Sequence, residues 1–235
     1  ADYWVSRMDA NPDGSYSILN VVAADEYAEN VDDNAFTNGA AIASLRAATA
    51  AAERLGIPAD PDWARVADGI RILRFSDGTV REHATYDGEM IKQADVNLLT
   101  YPLGLVTDPD AAARNLAYYQ SRVDDRGPAM THSVYSVISS RLGDPEAAYT
   151  LFQRGFRPNE LPPFRVIAET AGGTNPYFAT GAGGMLQAVL FGFGGLQITD
   201  QGVQTLDPDG RLPRAWRSLR ITGIGPEDAE HTLER

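Results

Sequence analysis

Hydrophobic positions in this chain recur mostly at helical spacing. From Gly39 onward Ile42, Leu45, Ala48, Ala52 and Leu55 repeat on one face, and Gly56 followed by Pro58 marks the stop. A second helix is predicted from about Pro61 to Ile70, with Trp63 and Val66 inward. Three more follow, over Asp108-Pro109 to about Arg122, Gly127-Pro128 to Gly143, and Asp144-Pro145 to about Arg154. In the Asp-Pro openings the Asp caps the helix and proline's missing N–H costs nothing at the first position. The last two helices form an αα-hairpin with a very short link. Met185 to Phe191 is apolar apart from Gln187 and reads as a helix buried all round, with Gly181-Ala182-Gly183-Gly184 allowing a close neighbour.

Alternation replaces this period in a few places. Tyr16 to Val22 reads as a short strand after the turn Asn11-Pro12-Asp13-Gly14-Ser15, and Arg71 to Glu82 as an irregular strand and turn. Leu161 to Ala168 is extended. Leu196 to Thr199, Val203 to Leu206 and Trp216 to Ile224 read as short antiparallel strands, with Asp207-Pro208-Asp209-Gly210 as a turn. The expected class is all-α, with a helical portion over 1–194 and a small β-rich segment over 195–235.

At 235 residues and 43% hydrophobic content the chain can bury a sizeable core. Its net charge of -12, from 20 Lys+Arg against 32 Asp+Glu without a basic cluster, argues against nucleic-acid and anionic-membrane partners. No apolar run is long enough to cross a bilayer. Tyr3, Trp4 and Val5 read as the middle of an amphipathic helix, so a processed or truncated chain is expected. The absence of cysteine removes thiol nucleophiles, disulfides and Cys-based zinc sites, and three widely separated His residues disfavour a His-rich metal site. Neither a metal nor a cofactor is expected, and the compartment is unreadable.

Chemistry is expected in the stretch from Val21 to Asn38, which holds five acids, three amides and two aromatics. It reads either as a cleft wall or as acids favoured ahead of a helix capped by Thr37 or Asn38. A second polar concentration, Tyr86 to Asn97, is embedded in apolar residues and must find partners in the fold or on a ligand. Glu26 and Glu169 each follow a short extended apolar run into a loop. Opposed carboxylates are what glycoside hydrolysis requires, although each acid alone also reads as an ordinary loop residue. Lys92 and Gln93 can hold sugar hydroxyls or be exposed strand residues, and Asp25 can be a partner or a structural hydrogen-bonder. Tyr27, Phe36 and Tyr177 can stack on a pyranose or fill the core. His83 and His132 read as structural. Neither a Walker pattern, a dinucleotide fingerprint nor a Gly-x-Ser-x-Gly elbow is present.

Five groups of residues carry a more specific signal. Asp25-Glu26-Tyr27-Ala28 with Asn34-Ala35-Phe36-Thr37-Asn38, Ile91-Lys92-Gln93-Ala94-Asp95-Val96, Tyr101-Pro102-Leu103-Gly104, Gly127-Pro128-Ala129-Met130-Thr131, and Gly181 to Gln187 with Phe191-Gly192 resemble glycoside hydrolase family 65 in order and spacing. The resemblance runs over nearly the whole chain. It implies the second half of an (α/α)6 barrel around a sugar pocket, with a small C-terminal β-rich appendage. It implies Glu26 as general acid, with Lys92, Gln93, Asp25 and Tyr27 binding substrate. Phosphorylases of the family carry a His- and Ser-rich phosphate loop where this chain has Gly127 to His132, and they lack a Glu at the position of Glu169. The chain resembles the hydrolases, which makes Glu169 the general base.

Inversion in one displacement would hold the two carboxyls roughly 6.5–9.5 Å apart, with Glu26 kept protonated by its pocket. The expected activity is an inverting, exo-acting α-glucosidase on trehalose, kojibiose or another α-1,2-glucoside. A phosphorylase of the same family and a non-catalytic sugar-binding or assembly subunit are the alternatives. The family's β-sandwich and first barrel half are not in this sequence. The expected partners are therefore the disaccharide and either the remainder of the same protein or a second polypeptide, and a homo-oligomer is compatible.

Overall fold

Helix dominates the computed structural model, which describes residues 1–206 and 212–235. The turn expected at Asp207-Pro208-Asp209-Gly210 lies outside the described residues. The chain divides into two units, Ala1–Asp124 and Asp125–Arg235.

The first unit runs through α1 (Asp2–Ser6), the antiparallel pair β1 (Asp9–Ala10) and β2 (Tyr16–Ser17), α2 (Ala35–Leu55), α3 (Pro61–Gly69), a 3-10 turn at Val96–Leu99 and α4 (Pro109–Gln120). Ile18, Ala41, Ile42, Leu45, Val66, Ala67 and Ile70 form its main core, edged by Trp4, Trp63 and Leu105. The helical face predicted on α2 is buried at Ile42, Leu45 and Ala52, whereas Leu55, in the last turn, is exposed. The helix also starts earlier than expected. Its cap is Asn34, whose side chain accepts from Thr37 N, while Asn38 is buried and donates to Arg71 O at 2.8 Å. The predicted strand from Tyr16 to Val22 ends after Ser17, because Asn20 takes a left-handed φ of 55° and donates its N–H to Asp32 Oδ1 at 2.8 Å.

The second unit contains the hairpin of α5 (Thr131–Arg141) and α6 (Pro145–Arg154), then a 3-10 turn at Arg157–Asn159 and the antiparallel pair β3 (Glu160–Leu161) and β4 (Val166–Ile167). Helix α7 (Ala179–Gln187) runs into a π-helical turn at Ala188–Phe193, followed by two antiparallel hairpins, β5 (Leu196–Thr199) with β6 (Gly202–Thr205) and β7 (Ser218–Ile224) with β8 (Ala229–Glu234). The glycines of α7 seat it on its neighbour: a Cβ on Gly181 would stand 2.7 Å from Ala129 O, and one on Gly184 would stand 2.4 Å from Ser133 Oγ. The expectation that Met185 to Phe191 is buried all round does not hold, since Ala188 is the one buried residue of that stretch and Leu186 is 57% exposed. The boundary expected between 194 and 195 falls inside this unit, where Leu212 and Leu233 share a core with Ala148 and Phe193.

Candidate active site

The turn that carries Glu26 is closed by Ala28 N donating to Asp25 O at 3.0 Å and Ala23 N donating to Ala28 O at 2.9 Å, beneath an antiparallel bridge of Val21 with Val31. Adjacent acids in this turn meet opposite environments. The Asp25 side chain is buried, and its Oδ1 accepts the main-chain N–H groups of Lys92 at 2.7 Å and Tyr27 at 3.2 Å. The Glu26 side chain is 57% exposed, and the Lys92 ammonium forms a hydrogen-bonded ion pair with it. Tyr27 is exposed beside it, its hydroxyl donating to Asp124 Oδ2 at 3.1 Å. Gln93 turns inward, donating Nε2 to Ala24 O at 2.7 Å, with its Oε1 buried and unpartnered.

Behind the turn stands Asp95, buried between Ala94 and Val96. Its Oδ2 accepts from Ala24 N at 3.0 Å, Asp25 N at 3.4 Å and Asn34 Nδ2 at 2.9 Å, while Oδ1 accepts from Phe36 N at 3.2 Å. One carboxylate therefore ties the Glu26 turn to the start of α2. Asn34 completes the tie, because its Oδ1 caps α2 through Thr37 N at 2.9 Å and its Nδ2 also reaches Glu82 O at 3.3 Å. A hollow of about 210 Å³ opens beside this frame, with Asp25, Tyr27, Glu82, His83, Tyr86 and Met90 in its wall. That is below the roughly 300 Å³ at which small-molecule pockets begin.

Electrostatics separates the acids further. The hydrogen bond from Lys92, with its charge, holds the Glu26 carboxyl below the usual carboxylate range. The expectation that its pocket keeps Glu26 protonated is thus corrected: beside an ammonium and open to water, the anion is the favoured form. Burial acts oppositely on the inner acids. It raises Asp25 and pushes Asp95 up to about 6 against the stabilising amide of Asn34. Glu82, buried near Asp95 and Asp25, is pushed up to about 10. Burial also lowers His83 and takes His132 down to about 4, which leaves both imidazoles neutral at pH 7. Among the described residues no three His, Asp or Glu side chains converge as metal ligands.

Glu169 follows β4 in the second unit and is half-buried. Its main-chain carbonyl accepts from Ala129 N at 2.8 Å and Asn159 Nδ2 at 3.1 Å, and its Oε2 accepts from Asn175 Nδ2 at 3.2 Å. The backbone of this acid is fixed and its carboxylate is steered by one amide. An apolar groove of about 420 Å³ lies in the same unit, lined by Arg165, Val166, Ile167, Tyr177, Phe178 and Met185. Tyr177 and the neighbouring Phe164 are 80% and 86% exposed.

Of the residues predicted from sequence, the first unit brings together Asp25, Glu26, Tyr27, Lys92 and Gln93, and the second unit carries Glu169. Sequence reading missed Glu82, which lies between Arg81 and His83 and looks like surface charge. The frame role of Asp95 had a signal in its apolar neighbours.

A family model for the glycosyl hydrolase family 65 central catalytic domain matches residues 1–72 and 74–159. A kojibiose hydrolase of Mucilaginibacter mallensis is 52% identical over 235 residues, covering 100% of this chain and 34% of that protein. A periplasmic/secreted acid trehalase of Candida glabrata is 35% identical over 200 residues, covering 79% of this chain and 16% of that protein. Among solved structures, a human-microbiome protein named for kojibiose phosphorylase superposes with a TM-score of 0.71 at 16% identity, covering 99% of this chain and 39% of that one, a likeness of fold. The chain spans about a third of the length of the kojibiose hydrolases it matches.

Proposed function

This chain belongs to glycosyl hydrolase family 65, and on that premise we propose that the protein carrying it is an inverting, exo-acting α-glucosidase that releases glucose from a small α-linked glucoside. The family's catalytic domain is an (α/α)6 barrel. We read the helices of this chain as the second half of that barrel and the C-terminal hairpins as its β-rich appendage. The first half and a β-sandwich come from the remainder of the protein or from a second polypeptide. The exposed side chains of Phe164, Tyr177 and Leu186 are a surface such a neighbour would cover.

The observation that carries the reading is the Glu26–Lys92 pair: an exposed acid on a turn locked from behind by Asp25 and Asp95, with an ammonium beside it. Glu26 gives its proton to the glycosidic oxygen while Glu169 takes one from the water attacking the opposite face. Because Lys92 favours the Glu26 anion, proton donation requires that sugar hydroxyls draw the ammonium away and exclude water, which raises the affinity of Glu26 for a proton as substrate binds. Lys92 then serves as a donor to the glucose, while the inward-turned Gln93 holds the turn through Ala24 O. Asp25 and Tyr27 hold the turn and its rim. Kojibiose is the favoured substrate, because similarity to a kojibiose hydrolase is the stronger, at 52% against 35% for an acid trehalase. Trehalose is the second reading.

The test is glucose release by the protein from kojibiose and from trehalose, with and without phosphate, the first-formed anomer being read by NMR before mutarotation. Phosphate-independent release of β-glucose is expected. Glu26→Gln and Glu169→Gln should each lower kcat by roughly 10²–10⁴-fold without lowering the unfolding midpoint. First-formed glucose that is all α from trehalose, where inversion gives one β and one α, sinks the inverting assignment, glucose 1-phosphate indicates a phosphorylase, and binding without turnover indicates a sugar-binding subunit.

A further inference from the structure

Glu82 is fully buried, and among the described residues neither of its carboxyl oxygens is reached by an N–H or O–H donor. Ionised, it would be an uncompensated charge in the interior, a state that proteins avoid by neutralising the group. The charged groups that bear most on it are Asp95, Asp25 and Glu89, all acidic. The phenols of Tyr86 and Tyr119 also feel it, and His83, next in the chain, is held towards its neutral form by burial. None of these neighbours is a cation. Once protonated, the carboxyl gains one O–H donor, and Asp25, which shares the wall of the same hollow, lies within its hydrogen-bonding reach.

We infer that Glu82 is a positioning residue: as a neutral carboxylic acid it donates a hydrogen bond to Asp25 and thereby fixes the turn that presents Glu26 beside Lys92. Asp25 is the joint through which this acts. Its Oδ1 takes one N–H from the Glu26 turn, Tyr27 at 3.2 Å, and one from the neighbouring segment, Lys92 at 2.7 Å. A donor from Glu82 sets the rotation of that carboxylate and hence the relative placement of the two segments. Glu82 is itself anchored, its main-chain carbonyl accepting from Ala35 N at 2.7 Å and Asn34 Nδ2 at 3.3 Å, both at the start of α2. The kinetic consequence rests on the reading of Glu26 as general acid. A turn released from Asp25 misaims the proton donor, which lowers kcat more than it raises KM.

The experiment compares E82Q with E82M in the full-length protein. Gln donates from its amide at every pH and keeps most of kcat, whereas Met, of similar length but with no donor, lowers kcat roughly 10–100-fold at nearly constant KM. Infrared difference spectra of wild type against E82Q give a readout independent of turnover: the wild type shows the C=O band of a protonated carboxyl at neutral pH, and E82Q lacks it. Absence of that band, or E82M turning over like wild type, overturns the inference. The band decides even where E82M fails to fold. A wild type that shows the band yet hydrolyses no α-glucoside retains neutral Glu82 and overturns only the role given to Glu26.

Discussion

Asn34 divides one amide between two tasks, its oxygen capping α2 and its nitrogen holding Asp95. Asn34→Ala should therefore cost more than an ordinary cap. About 1 kcal/mol is expected from the cap and a further ~1–3 kcal/mol from leaving Asp95 short of a donor, read as a shift in the denaturant midpoint. Asn34→Asp keeps the cap but turns a second carboxylate towards Asp95, and should be less stable than Asn34→Ala at neutral pH. If Asn34→Asp matches the wild type, the amide is not what holds Asp95. At this scale the sequence was legible where residue type and spacing coincide, as for Glu26 and Lys92, which the fold brings together as an ion pair. It was illegible where burial alone changes a residue's meaning. Glu82 and Glu89 have the same side chain, yet the first is driven towards its neutral form by burial and the second is held towards its anion by main-chain N–H groups.

Helix α7 shows how an element is seated by what its glycines lack. A Cβ on Gly181 would meet a main-chain oxygen at 2.7 Å, whereas one on Gly183 would meet nothing within 4 Å. Gly181→Ala should destabilise the protein by about 1–3 kcal/mol, since backbone cannot swing aside as a side chain can. Gly183→Ala should be stabilising by ~0.5–1 kcal/mol, because a helix-interior glycine then gains alanine's lower chain entropy. Thermal midpoints moving in opposite directions would bear this out, and equal shifts would not. Helix starts were readable at three Asp-Pro pairs, where Asp60, Asp108 and Asp144 each cap their helix. The start of α2 was not, because Asn34, Thr37 and Asn38 can all cap and only distant partners choose among them. The claim of Asp33 and Arg71 on Asn38 settles that choice.

Over the whole molecule the buried acids set how stability varies with pH. Glu82 in the folded chain takes up its proton near pH 10 instead of 4.5, and Asp95 near 6 instead of 3.8. Between those limits the folded state binds more protons than the unfolded one, so stability falls as pH rises. Glu82 alone contributes a slope of about 1.4 kcal/mol per pH unit above its unfolded pKa. Chemical denaturation of wild type and E82Q from pH 5 to 8 should show the variant with the flatter profile, and parallel profiles would mean that Glu82 is ionised throughout. The helical class and the family were legible in the sequence, whereas the π-helical turn at Ala188–Phe193 and the strand at Ala229–Glu234 were not, since both depend on packing that local pattern does not encode. The frame of Asp25, Asn34, Glu82 and Asp95 also bears on how such a protein can diversify. Each member satisfies or burdens another, so a change that removes a needed donor or acceptor from any of them strands a buried partner, and such a change would need a compensating substitution in a separate stretch of chain. Substitutions are therefore better tolerated at exposed positions such as Ala171 and Thr174, where a replacement orphans no buried group, while the frame behind the Glu26 turn is constrained by its own pairing.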